Sequence, residues 1–80
     1  MRYDQRIPIE LVELNTQLQK AVTKHITPIR SYHEAIGVIL EEWDEVKVEA
    51  FMQTVDRFAL RKELYHLAAM AIRSIIDLDL

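Results

Sequence analysis

Apolar residues recur every three or four positions along most of this chain, which is the spacing of one face of an α-helix. In the first segment they stand at Ile7, Leu11, Leu14, Leu18 and Ala21. Polar residues fill the positions between them, so the pattern predicts a surface helix with one narrow apolar stripe. We expect this helix to begin near Pro8, which a first helical turn tolerates, and the chain to break at Thr27-Pro28.

A second helix is predicted from about Ser31 to about Met52. Ser31 and Glu34 have the spacing of a capping box, in which each side chain can accept a hydrogen bond from a backbone N–H at the helix start. Acidic residues lie on one side of this helix. A broad apolar face lies on the other, formed by Tyr32, Ile36, Ile39, Leu40, Trp43, Val46 and Ala50.

A third helix is predicted from about Val55 to Asp77, after a break near Gln53-Thr54 with Thr54 as a possible N-cap. Between Leu64 and Ile76 this segment is apolar almost all the way round. A helix of that kind needs neighbours on more than one side. In a chain with three helices, a second subunit can cover the side that remains.

Composition agrees with a small helical protein. The chain has 80 residues with one Gly and two Pro, too few turn formers for a sheet. Chains this short bury only about 60 to 65% of their unfolded surface, which favours self-association. We therefore predict one domain over residues 1–80, all-α, with helices 2 and 3 forming an antiparallel hairpin and the three-helix unit oligomerising into a larger helical bundle.

Several classes of function are disfavoured. Without Cys there is no disulfide framework and no thiol nucleophile, and without a long apolar run there is no membrane span. The formal net charge of −3 argues against binding to a nucleic-acid backbone. We expect a cytoplasmic protein without a nucleic-acid or membrane partner.

Four residues carry the candidate chemistry. Glu42 and Glu45 are three apart on the second helix, and Glu63 and His66 are three apart on the third, so each pair shares a helix face. In a hairpin that turns at residue 53, Glu45 lies roughly 12 Å before the turn and Glu63 roughly 15 Å after it. The levels match, and such an oxygen-rich cluster suits Mg²⁺ or Mn²⁺. A solvated helix face remains the alternative for the acids, and a structural or surface role remains the alternative for His66.

The run from Ser31 through Glu45, followed by Arg61-Lys62-Glu63-Leu64 and the segment 68–73, resembles the MazG-like all-α nucleotide pyrophosphohydrolases. That family is marked by Glu-Glu-x-x-Glu on one helix and Glu-x-x-Asp on the next. The likeness covers residues 31 to 77 and is closest to the short single-domain relatives. It implies hydrolysis of a nucleoside triphosphate, or a deoxynucleotide, to a monophosphate and pyrophosphate with Mg²⁺ or Mn²⁺, in a homodimer or homotetramer.

Carried over to this chain, the resemblance makes Glu42, Glu45 and Glu63 catalytic metal ligands. His66 stands where the family has Asp, so the fourth ligand is a neutral imidazole and the site is weaker or prefers another metal. The alternative is a non-catalytic helical interaction or structural module with a degenerate metal site.

Other residues around this site are expected to play smaller parts. Lys62 and Arg73 lie on neighbouring sides of the third helix and could face the substrate phosphates. Lys20 and Lys24 are ordinary surface charges unless the first helix folds over the acidic face. For Tyr32 and Trp43, core packing is favoured over contact with a base.

Overall fold

Three helices make up most of residues 2–80, the part of the chain that this computed structural model describes. Helix α1 spans Arg2–Lys24, α2 spans Tyr32–Ala50 and α3 spans Arg57–Asp77. No strand occurs within residues 2–80, so the all-α prediction is confirmed. Met1, the first residue of the predicted domain, lies outside the described part.

Helix α3 is the central element, because it packs against both α1 and α2, whereas α1 and α2 do not pack against each other. Helices α2 and α3 run antiparallel. The backbone N–H of Ile29, just before α2, donates to Oδ2 of Asp77 at the end of α3 over 2.9 Å. The predicted hairpin of helices 2 and 3 is therefore present.

Helix α1 lies on α3 in the parallel direction. Near its start, Glu10 bonds to Arg61, and near its end the carbonyl oxygen of Ala21 accepts from Arg73. Helix α3 therefore lies between α1 and α2, each of which packs against it. A cleft remains between α1 and α2, and α3 forms its floor.

The start of α1 differs from the prediction, because the helix begins at Arg2 and contains Pro8. A proline at this position removes one backbone hydrogen bond, to the carbonyl of Asp4. Around Pro8, Nε of Arg6 donates to Glu10 over 3.2 Å. The acidic Asp4 in the first turn also suits the positive end of the helix dipole. These interactions accompany a helical turn that the proline alone would disfavour.

At the start of α2, one of the two hydrogen bonds of the predicted capping box is present. Oγ of Ser31 accepts a hydrogen bond from the backbone N–H of Glu34 over 3.0 Å. The Glu34 carboxylate reaches back to the N–H of Arg30, at 3.2 Å, rather than to that of Ser31. Both side chains still occupy donors at the helix start that would otherwise lack a partner.

The cap of α3 is Asp56, not Thr54. Oδ1 of Asp56 accepts from the backbone N–H groups of Phe58 and Ala59 over 3.0 and 3.1 Å. Aspartate is a slightly better N-cap than threonine, and its charge suits the helix dipole. Thr54 lies within the turn that joins α2 to α3.

The core is small and lies where α2 and α3 meet the link between α1 and α2. Its buried cluster consists of Ile29, Ala35 and Met70, with Ala21, Val38 and Leu78 packed against it. Tyr32 is 67% exposed and Trp43 is 46% exposed, so the expected core packing of these two aromatic residues is wrong for the single chain. Both lie on a side of α2 that neither other helix covers.

The length and the apolar character of the helices bear on the prediction about a membrane span. Among residues 2–80, none of them combines the length and the apolar character that crossing a bilayer would require.

Candidate metal and phosphate site

The four candidate ligands converge. One ligand atom from each of Glu42, Glu45, Glu63 and His66 lies within 4.8 Å of all the others. The antiparallel packing of α2 and α3 brings the two pairs to the same level, and the three-residue spacing keeps both members of each pair on one face. We call these four residues the acid cluster.

Two oxygen atoms of the acid cluster are buried without a partner. Oε2 of Glu42 and Oε2 of Glu63 are both out of contact with solvent and accept no hydrogen bond. A charged oxygen that has lost its water and has gained no hydrogen bond in exchange destabilises the folded state. The donor set and these two free oxygens fit a divalent cation, because oxygen ligands that lack other partners are what Mg²⁺ and Mn²⁺ bind.

The pKa values of the carboxyl groups in the acid cluster are shifted by their burial and by their mutual repulsion. Burial raises the pKa of the Glu42 carboxyl above its ordinary value, and repulsion from Glu45 adds to the rise. Burial also raises the pKa of Glu63, again with a contribution from Glu45. Both effects penalise the charged form, so the folded protein holds these carboxylates at a cost in stability.

His66 is the only group of the acid cluster that can carry a positive charge. Its Nδ1 lies 3.4 Å from Oε2 of Glu63 and 4.0 Å from Oε2 of Glu42. Its interaction with the two carboxylates lowers their pKa values, but this does not offset the effect of burial. The imidazole can act either as a ligand to a cation or, when protonated, as an internal counterion.

The acid cluster lies at the edge of the cleft between α1 and α2. This cleft has a volume of about 920 Å³, and Glu42 and His66 line it. Lys62 also lines it, one helical turn before His66 on α3. The sequence suggests that Lys62 faces the substrate phosphates, and this role of Lys62 stays a prediction.

Arg73 has another set of partners. It is 4% exposed, and its Nε donates to Oδ2 of Asp77 over 3.1 Å. Its terminal nitrogens donate to the carbonyl oxygens of Ala21 at 3.3 Å, of Thr27 at 2.9 Å and of His25. The guanidinium thus fastens the link between α1 and α2 to the end of α3, and we do not count it among the phosphate ligands.

Sequence reasoning left two features of the site open. Lys20 and Lys24 line the cleft together with Gln17 and Ala21. Their spacing along the helix is the signal for a shared face, but only the placement of α1 on α3 shows which way that face points. The partners of Arg73 were open for the same reason, since helical position alone cannot show whether a cation meets solvent or backbone carbonyls.

A second polar network, which the sequence did not indicate, joins α1 to α3 away from the acid cluster. Glu10 accepts hydrogen bonds from Arg61, Tyr65 and Arg6, which lower the pKa of its carboxyl to about 2. Arg61 also lies 4.9 Å from the centre of the Tyr65 ring. This network fixes one end of α1.

Comparisons with known protein families, with curated protein sequences and with solved structures find no match to this chain. The likeness to the MazG-like pyrophosphohydrolases thus rests on the residues of the chain itself and stays a prediction.

Proposed function

We propose that this chain is a divalent-metal-dependent nucleoside triphosphate pyrophosphohydrolase, which converts an NTP or dNTP to a monophosphate and pyrophosphate. The observation that carries the proposal is the convergence of Glu42, Glu45, Glu63 and His66 within 4.8 Å, with two buried carboxylate oxygens that lack partners. The cleft beside these residues gives a phosphate chain access to them. The cofactor would be Mg²⁺ or Mn²⁺.

The residues of the chain divide the work. Glu42 and Glu63 would hold the cation through their buried oxygens, with Glu45 and His66 completing the ligand set. Glu45 is the exposed carboxylate, so it can also accept a proton from the water that attacks phosphorus. Lys62 would place its ammonium group against phosphate oxygens. When bound, the cation would neutralise charge on the phosphates and activate water.

The direct test is an assay of pyrophosphate release. The protein should be incubated with a panel of ribo- and deoxyribonucleoside triphosphates in Mg²⁺ or Mn²⁺. Glu42→Gln should lower turnover by about 100-fold or more, since even the loss of an outer-shell partner of a metal site costs 10 to 100-fold. Asp44→Asn changes an exposed carboxylate of the same helix that lies outside the acid cluster and does not line the cleft, so it should leave turnover near that of the wild type.

This function would be ruled out if no nucleotide released pyrophosphate and the protein bound no metal at millimolar concentration. The remaining candidate would be a non-catalytic helical module. This candidate is favoured by His66, which stands where the MazG-like family has Asp. Its Nδ1 lies 3.4 Å from Oε2 of Glu63, so a protonated imidazole can serve as an internal counterion. Such a module would keep the helical scaffold and its capacity to associate.

We also propose that the protein acts as a homodimer or homotetramer in the cytoplasm. On α2, Ile36 and Trp43 lie on the side turned away from the cleft and are 56% and 46% exposed. On α3, Leu64 and Ile75 lie about half a helical turn from His66 and are 46% and 48% exposed. These residues form an apolar back face across α2 and α3, and contiguous surfaces of this kind mark association sites.

A further inference from the structure

Two lysines of α1 line the cleft across from the carboxylates of α2. Lys20 and Lys24 are four residues apart, so both side chains leave the helix on the same side. Within residues 2–80, neither forms an ion pair with an acidic side chain. Both ammonium groups therefore remain available to an anionic ligand. We call this pair the lysine wall.

The cleft as a whole separates the two signs of charge. Glu42 and Glu41 of α2 line one side, and the lysine wall of α1 lines the other. A simple anion would be repelled by the carboxylates, and a simple cation would be repelled by the lysines. A phosphate chain that carries a divalent cation suits both sides, because its oxygens can share the cation with the carboxylates and accept hydrogen bonds from ammonium groups.

We propose that the lysine wall binds the distal phosphates of a polyphosphate chain whose proximal part lies at the acid cluster. This inference rests on the proposed function, since it assumes a ligand that reaches the carboxylates through a metal. On this proposal, α1 is the element that distinguishes a triphosphate from a shorter phosphate chain. A triphosphate spans both sides of the cleft, whereas a monophosphate held at the acid cluster does not reach α1.

The test measures binding rather than turnover. The ligands are α,β-imido nucleoside triphosphates, which resist cleavage between the α and β phosphates, the matching monophosphates, and inorganic tripolyphosphate. Each is titrated by calorimetry in Mg²⁺ into the wild type, Lys20→Gln and Lys24→Gln. Lys47→Gln is the matched control, because it removes the same charge from a lysine that pairs with Asp44 at 3.2 Å and does not line the cleft. Thermal melting followed by circular dichroism checks that all variants fold.

Lys20→Gln and Lys24→Gln should each weaken triphosphate binding about tenfold, the effect of losing a hydrogen bond between charged groups. Their affinity for monophosphates should match the wild type, their affinity for Mn²⁺ alone should not fall, and Lys47→Gln should bind every ligand normally. Tripolyphosphate bound as tightly as a nucleotide would identify the phosphate chain alone as the ligand. Tighter binding of one nucleotide would identify a nucleotide ligand.

Triphosphate affinities that are the same in the wild type and both lysine variants would overturn the inference, as would the absence of triphosphate binding. The proposed function fails on different observations, namely no pyrophosphate release and no effect of Glu42→Gln on metal binding. If those are seen while the lysine variants still lose triphosphate affinity, the cleft is a polyphosphate-binding site without hydrolytic activity, and the lysine assignment holds.

Discussion

At the scale of single residues, the acid cluster holds more negative charge than the positive groups around it can neutralise. Three carboxylates of the acid cluster meet one histidine, and Oε2 of Glu42 and of Glu63 are buried without a hydrogen bond. Removing a buried, unpaired charge usually stabilises a protein when the replacement fits the same space. A destabilising group of this kind points to a ligand that relieves it.

Glu42→Gln should therefore stabilise the metal-free protein near neutral pH. The pKa of Glu42 is raised in the folded state, so above that pKa the charged carboxylate favours unfolding. As the pH falls toward about 4, the group becomes protonated in the unfolded chain as well, and the advantage of the variant disappears. A gain in Tm of several degrees is expected, since each 1 kcal/mol shifts Tm by about 4 to 8 °C in a domain of this size. Thermal melts between pH 4 and pH 8 measure it.

Glu41→Gln serves as the control, because Glu41 is exposed on the same helix and lies outside the acid cluster. Added Mn²⁺ should raise the Tm of the wild type and not that of Glu42→Gln, since a ligand that binds only the folded state stabilises it. A Tm for Glu42→Gln at or below that of the wild type at every pH would mean that the partly buried Glu42 carboxylate does not destabilise the folded chain.

The four residues of the acid cluster could be predicted from the sequence because their positions depend on helical periodicity and on one turn. Glu42 and Glu63 needed only matching distances from that turn to be placed together. The role of Arg73 could not be found in the same way. Its partners are backbone carbonyls of the link between α1 and α2, such as that of Thr27, and a sequence pattern does not show where an irregular segment passes.

At the scale of elements, α3 organises the molecule and Arg73 is its main polar contact with the rest of the chain. The guanidinium bonds to Asp77 on its own helix and to carbonyl oxygens of Ala21 and Thr27. It ties the end of α1 and the start of α2 to one point. The position of the lysine wall beside the acid cluster depends on this tie.

Arg73→Met should lower the free energy of unfolding by about 3 kcal/mol, because it leaves Asp77 and several carbonyl oxygens without their buried partner. Urea unfolding measures the loss. Arg57→Met, which changes an exposed arginine at the start of the same helix, should stay within about 0.5 kcal/mol of the wild type. A small loss of stability accompanied by a large loss of triphosphate affinity would instead support the phosphate-binding role that the sequence suggested for Arg73.

The boundaries of the elements show what local patterns can specify. Ser31 was predicted as the cap of α2 and holds that position, because a serine followed three residues later by a glutamate has a direct structural meaning. Thr54 and Asp56 are both acceptable caps two residues apart, so the pattern could not choose between them. The start of α1 was misplaced because Pro8 is tolerated at a helix start and, at some cost, inside a helix.

At the scale of the whole molecule, one chain leaves much of its apolar surface uncovered. The core contains few buried side chains, and none of them belongs to α1. The apolar back face on α2 and α3 is exposed in the single chain, although the sequence pattern predicts that a neighbouring subunit covers it. A chain of this length gains stability by association, which is the physical reason for expecting a second copy on this surface.

Ile36→Glu should abolish association while leaving the single chain folded. Ile36 is 56% exposed, so a glutamate there can reach solvent in the monomer but would be buried without a partner in the oligomer. The measurement is the mass by light scattering over a range of protein concentrations. Val48→Glu is the control, since Val48 is 59% exposed and shares its side of α2 with Asp44 rather than with the back face.

The wild type should show a mass of two or four chains, and Val48→Glu should keep it. A wild type that remains a monomer at about 100 μM, well above the Kd of a stable oligomer, would contradict the proposed assembly. A variant Ile36→Glu with the same mass as the wild type would show that the chains associate through another surface.

Helices α1 and α2 touch only α3, so the width of the gap between them depends on how each helix packs against α3 and not on contacts between the two. Substitutions along the seam of α1 and α3, where Glu10 meets Arg61, could widen or narrow that gap without disturbing the carboxylates on the far side. Evolution could in this way adjust the size of the accepted molecule and the affinity for the ion through separate sets of residues.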